Sequence, residues 1–283
     1  MTNKVYSPSQ TKDWGFCPYY WEFRQRGWTP KRLGKKELAG IAGTGFAAGM
    51  AAHHMGFNIE DARIQAMGSV EREFHKYQSA GAFFEDAEPD IAKTKVLNAL
   101  AKTVQLNPIP TTWEILDVEL TLPDHGNARI DLGLHDGQGL AVADYKLKLS
   151  LQARYHDKEV NRYINDFKML HYAWAYGQYK QAIVERYHML IVILEPVFTI
   201  KLGSFSVHPQ ILQAWEHGAR AMWGMMFEHR AGELPLWENP EHESKYGRCE
   251  FERACFDLKR DESLYFNDYI NLKERTSASQ TQP

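Results

Sequence analysis

An apolar strand that carries charge is the feature that most limits what this chain can become. Leu140-Ala141-Val142-Ala143-Asp144-Tyr145-Lys146-Leu147 reads as a central strand, with an aspartate and a lysine two residues apart. Side chains at i and i+2 of a strand share a face, so Asp144 and Lys146 point the same way. Charge inside a sheet is costly unless it is paired or bound to metal. Arg129-Ile130-Asp131 lies on the preceding strand, across a turn at His135-Asp136-Gly137-Gln138-Gly139. If the hairpin register allows it, Asp131 stands beside Asp144. Two carboxylates and the backbone carbonyl of Tyr145 are the hard oxygen ligands that Mg2+ or Mn2+ prefers. Lys146 could orient or deprotonate an attacking water, or stabilise a transition state as a cation. Together these groups suit metal-assisted cleavage of a phosphodiester. The bland alternative is a surface hairpin with an ordinary ion pair, since D-x-K triplets are common; the apolar flanks weigh against it.

The elements around the hairpin follow from periodicity and punctuation. Ser7-Pro8-Ser9 predicts a helix start, with the helix running over 8–25, followed by a basic linker over 26–36. A helix over 37–55 is rich in small residues, and Gly43, Gly45, Gly49, Ala51 and Ala52 predict close packing against another element. Helices are expected over 58–77 and 89–106, strands over 113–122, 128–134 and 140–147, and a helix over 159–180. Strands over 187–194 and 198–205 and a helix over 209–229 follow. The expected organisation is one domain with four parts: a helical region over 1–107, an α/β core over 108–206, a helical region with a cysteine pair over 207–274, and a polar, disordered tail over 275–283.

Composition narrows the classes. Three cysteines in 283 residues do not build a disulfide framework, and the N-terminus lacks the apolar stretch of a signal peptide. No apolar run approaches the ~18 residues of a membrane span. An intracellular, cytoplasmic protein with no membrane partner is expected. A net charge of -3 does not advertise nucleic acid, but a local basic groove suffices for an enzyme. From Tyr145 to Lys168 there are six basic residues, including Lys148, Arg154, Arg162 and Lys168, against three acids. A solvated helix face is the ordinary meaning of such charges; beside a metal site they suit a phosphate-binding track.

Arg-Ile-Asp, a hairpin, Val-Ala-Asp-Tyr-Lys and then an amphipathic helix resemble the PD-(D/E)XK nuclease superfamily. Within it the chain is most similar to the RecB-like branch of helicase-linked, CRISPR-associated and phage exonucleases. The resemblance covers 113–193 best. It implies an α/β core with a central mixed sheet flanked by helices, Asp131 and Asp144 as ligands of Mg2+ or Mn2+, and Lys146 as the catalytic lysine. It also implies a further acid on the preceding strand, for which Glu119 is the match, though a solvated strand residue reads equally well. RecB-like members carry glutamine and tyrosine four apart on the following helix. This chain has Lys168 and Tyr172 there, which puts them beside DNA, with Tyr172 equally readable as a core aromatic. An upstream helix often supplies a histidine ligand, and Gly49-Met50-Ala51-Ala52-His53 places it at His53, with His54 facing elsewhere.

Phe16-Cys17-Pro18 near one end and Cys249 and Cys255, with five residues between them, near the other resemble the iron–sulfur RecB-like nucleases. The fourth cysteine of that set is missing, with Tyr246 in its place. An iron–sulfur cluster with a non-cysteine ligand such as His242, a zinc site, a lost cluster and three buried thiols all remain open. Iron content after anaerobic purification separates them. In each case the two chain ends should meet. The expected function is a metal-dependent exonuclease acting on DNA ends, in recombination, repair or CRISPR-type processing, nucleoid-associated or in a phage-infected cell, beside a recombination or repair protein. A non-cutting DNA-end or protein-binding module and an RNA nuclease are the alternatives.

Overall fold

A computed structural model describes residues 5–30, 32–33, 35–84, 89–230, 243–244, 247–248, 251 and 269–271. At its centre is a five-stranded mixed sheet whose spatial order is its chain order. The strands are β1 (Glu114–Leu122), β2 (Ala128–His135), β3 (Leu140–Lys148), β4 (Val184–Ile193) and β5 (Thr199–Ser206). β1, β2 and β3 form an antiparallel meander, β3 and β4 run parallel, and β5 returns antiparallel on β4. The parallel step needs a crossover, and two helices supply it: α6 (His156–Asn161) and α7 (Phe167–Lys180).

Helices cover both sheet faces. On one face lie α3 (Lys35–His54), α4 (Ile59–Ser79) and α5 (Pro89–Leu106), packed on Leu132, Leu134, Ala141, Ala143, Tyr145 and Leu147. On the other lie α1 (Pro8–Phe16), α2 (Pro18–Arg26), α7 and α8 (Pro209–Arg230), packed on Ile130, Val142, Tyr187, Met189 and Ile191. β3 is therefore apolar on both sides, the usual state of a strand inside a covered sheet. This burial carries Asp144 inward, between Val142 and Lys146 on the α7 face. The hairpin before it is held by Asp136, whose Oδ1 accepts the amides of Gln138 at 2.9 Å and Gly139 at 3.0 Å. Gly137 supplies the left-handed conformation at the tip, with φ of 88°.

Two expected helices are each broken in two. The segment over 8–25 divides at Cys17, whose backbone is extended at φ −163°, ψ 119°. Pro18 disfavours the helical region for the residue before it and then opens α2 as its first residue. The segment over 159–180 divides before Asp166, which caps α7 by accepting the amides of Lys168 at 3.0 Å and Met169 at 3.1 Å. The two chain ends meet, as expected. Trp28–Pro30 pairs antiparallel with Tyr269–Asn271, and Phe251 stacks on Phe23 beneath them. Among the described residues no helix is long and apolar enough to cross a membrane. The tail over 275–283, Cys249 and Cys255 lie outside the described residues.

Candidate active site

Asp131 and Asp144 come together where β2 and β3 part. The antiparallel ladder between these strands ends at Leu132 and Ala143, one residue short of the two aspartates. Beyond it the amide of Tyr145 has no strand partner on β2; it donates instead to Asp131 Oδ2 at 2.9 Å. The Asp131 side chain thus takes a place that a strand carbonyl would otherwise fill. Asp144 is fully buried, and both of its oxygens are engaged. Lys146 Nζ contacts Oδ2, and Lys168 Nζ donates to Oδ1 at 3.0 Å from the first turn of α7. Lys146 Nζ also lies 3.4 Å from the Tyr145 carbonyl.

The charge is unevenly shared. Burial opposes ionisation of Asp144, yet the flanking Lys146 and Lys168 hold its carboxyl below the usual range. Among the described residues no ammonium is bonded to Asp131. Burial and the neighbouring Asp144 charge push its carboxyl up to about 7, against a weaker pull from the two lysines. Burial lowers Lys146, while Asp144 raises Lys168 well above its ordinary value in spite of burial. Asp131 is therefore short of positive charge beside a carboxylate that has two cations. A divalent ion between the two aspartates would correct that imbalance, and hard oxygen donors suit Mg2+ or Mn2+. Among the described residues no third His, Cys, Asp or Glu joins them. An ion here would keep several non-protein ligands, as Mg2+ commonly does.

Helix α7 presents a stripe to the sheet at four-residue spacing, Lys168, Tyr172, Tyr176 and Lys180. Lys168 Nζ sits 4.9 Å from the centre of the Tyr172 ring, and burial raises the Tyr172 hydroxyl to about 12. Tyr176 packs against Gly133 of β2, where a methyl group would overlap the hydroxyl end of its ring. Its hydroxyl donates to Asp117 Oδ2 at 2.6 Å, and Lys180 Nζ reaches the same oxygen at 2.7 Å. The stripe fixes α7 across β1, β2 and β3, and so fixes where Lys168 stands. The sequence reading missed Asp117, Tyr176 and Lys180, although the fourfold spacing was there to find.

The other expected site residues are placed elsewhere. Lys168 and Tyr172 are not on an open phosphate track; Lys168 is committed to Asp144, and Tyr172 is buried. Glu119, with a left-handed backbone at φ 50°, pairs with Arg129. His53 does not join the aspartates. His54, expected to face elsewhere, points at β3, its Nε2 2.8 Å from the Tyr145 hydroxyl. That contact is on the sheet face opposite Asp144. Burial and the neighbouring His53 lower His54 to about 4. Lys148 and Arg162 converge on Glu159, each at 2.8 Å, which neutralises part of the expected basic track. Arg154 lies over the Tyr155 ring at 4.8 Å. Cys17 is buried at the α1–α2 junction, and the site of its expected partners is outside the described residues.

A sequence profile of the PD-(D/E)XK nuclease superfamily matches residues 5–256. No curated protein matches the chain. Among solved structures, the chain is similar to an inferred exonuclease from Eubacterium rectale, at 12% identity and a TM-score of 0.44, over 92% of this chain and 89% of the other.

Proposed function

Because this chain belongs to the PD-(D/E)XK nuclease superfamily, we propose that it is a metal-dependent nuclease that hydrolyses DNA phosphodiesters at the Asp131–Asp144–Lys146 centre. The observation that carries the proposal is the fork between β2 and β3, which sets the half-buried Asp131 beside the fully buried Asp144, with a lysine on each oxygen of Asp144. Members of the superfamily generally use divalent ions such as Mg2+ or Mn2+. Asp131, Asp144 and the Tyr145 carbonyl would hold the ion here. When bound it would neutralise the phosphoryl oxygens and lower the pKa of an attacking water.

The chain's own residues do the rest. Asp144 fixes the Lys146 ammonium at the centre, where it can donate to the water and to a non-bridging oxygen. Tyr145 N–H holds the Asp131 carboxylate toward Asp144. Water adds at phosphorus and the P–O bond to one sugar breaks, leaving a phosphate monoester and an alcohol. A preference for DNA ends, and work in recombination, repair or CRISPR-type processing with a partner protein, rest on the RecB-like resemblance of the sequence alone.

The test is cleavage of linear duplex, single-stranded and closed circular DNA, and of RNA, with Mg2+ or Mn2+ and with chelator. Loss of linear DNA with circles spared is expected. Asp144→Ala and Lys146→Ala should each lose at least ~100-fold in rate, as removal of positioned acid–base and electrostatic groups does. Cleavage that persists in either variant sinks the assignment. Binding without cutting would make the chain an end-binding module.

A further inference from the structure

We infer that Lys168 is the resident counter-cation of Asp144: it occupies an oxygen that a divalent ion would take and leaves it when the ion binds. The inference rests on the assignment of Asp144 as a metal ligand made above. Both oxygens of this buried carboxylate are held by ammonium groups, so an ion that approaches either one competes with a lysine. The two lysines are not equivalent. Lys146 is two residues along the same strand, and the strand backbone fixes its approach to Oδ2. Lys168 arrives from α7 on a flexible four-carbon stem, and its side chain is 33% exposed on the way. It can withdraw without moving the strand.

Its place on α7 is otherwise unfavourable. Lys168 is the second residue of the helix, and its backbone amide is taken up by the Asp166 cap. Cations are disfavoured at that end because the helix dipole is positive there. Local helix preference therefore does not explain a lysine at this position, whereas the contact with Asp144 does. The Tyr172 ring, 4.9 Å from Nζ, offers the ammonium a second favourable surface one turn along the helix. Metal loading is then an exchange of one cation for another. Without metal, Asp144 remains compensated and the sheet stays intact; with metal, the affinity is reduced by the cost of displacing Lys168. Lys168 is a positioning residue in this scheme, acting through Asp144.

The test measures Mn2+ binding to the full chain by the electron paramagnetic resonance of free Mn2+, together with thermal melts in chelator and in Mn2+. Lys168→Gln should bind Mn2+ about tenfold more tightly than the wild type, since a unit positive charge a few ångströms away has been removed. It should also melt lower in chelator and gain more from Mn2+. Lys168→Arg should bind Mn2+ at least ~3-fold more weakly, because a guanidinium fork holds a carboxylate in two-point fashion. If Lys168→Gln does not fold, Lys168→Arg decides the matter. Unchanged or weaker binding in a folded Lys168→Gln, or unchanged or tighter binding in Lys168→Arg, overturns the exchange and leaves the metal site standing. An Asp144→Asn protein that binds Mn2+ as tightly as the wild type removes Asp144 as a ligand, and the inference falls with it.

Discussion

Asp131 and Asp144 have the same side chain, yet the fold treats them oppositely. Two ammonium groups hold Asp144 ionised, while burial and the charge of Asp144 push Asp131 up to about 7. Folding therefore favours the protonated form of Asp131. Its contribution to stability is present below the ordinary carboxyl value of 3.8 and is lost as pH rises through about 7. In chelator, the wild type should lose melting temperature steadily from about pH 4 to about pH 7 relative to Asp131→Asn, which has no carboxyl to ionise, and lose no more above that. Mn2+ should remove the difference on the alkaline side by supplying the missing charge. Parallel melting curves for the two proteins across that range would remove the assigned shift. At this scale the sequence was informative where a contact follows from strand geometry. The shared face of Asp144 and Lys146 is a consequence of period two, and the approach of Asp131 follows from the hairpin. Lys168 was legible as a residue but not in its contact, because the rotation of α7 over the sheet is set by Tyr176, Gly133 and Asp117, three residues remote in sequence. The direction of His54 was not legible for a related reason. Adjacent helix residues differ by ~100°, and α3 is so rich in small residues that no apolar stripe marks its phase.

The glycines of α3 separate local propensity from packing. Gly45 faces α4, where an added methyl group would overlap the Val70 side chain and lie 3.1 Å from the Ala66 carbonyl. Gly43, two residues earlier on the same helix, would meet nothing within 4 Å. Gly43→Ala should raise stability by ~0.5–1 kcal/mol, the helix penalty of glycine. Gly45→Ala should lower it by ~1–3 kcal/mol, because overpacking outweighs that gain. Urea denaturation of the two proteins checks both signs, and a common sign would mean that α3 and α4 are not packed through this glycine. The sequence showed that α3 packs closely but not through which glycine. It also placed most element boundaries within a few residues, since apolar periodicity and proline or glycine punctuation are local signals. It missed the two helix breaks in spite of local markers, Cys17 before Pro18 and Asp166 as a cap.

At the scale of the molecule, the sheet separates two apolar cores, and a third, smaller one ties distant parts of the chain together. In that third core Phe251 is fully buried, 4.9 Å from the Phe23 ring and 5.7 Å from the Tyr269 ring. Phe251→Ala should lose ~3–5 kcal/mol, as large-to-small changes of a buried aromatic do. The α1–α2 segment should become the first part of the molecule cut by protease. Cleavage per folded molecule should persist, because the contact is confined to that smaller core. An unchanged melting temperature would mean that the core contributes nothing to the fold. The layered architecture was legible from the order of elements, helices and then a meander with one crossover. The joining of distant segments was expected only from the resemblance in the cysteines, since no local pattern announces a three-residue ladder.

That ladder has a consequence in time. Trp28–Pro30 is made long before its partner, Tyr269–Asn271. The helices over 35–106 likewise leave the ribosome before the sheet that they cover. Domains complete folding as units once their sequence is available, so between the synthesis of those two strands this chain is an unfinished enclosure, with aromatic rings of the one waiting for the other. A nascent chain stalled between β5 and Tyr269 would hold the carboxylate centre while its seam stayed open, and the cell's proteases would meet it in that state.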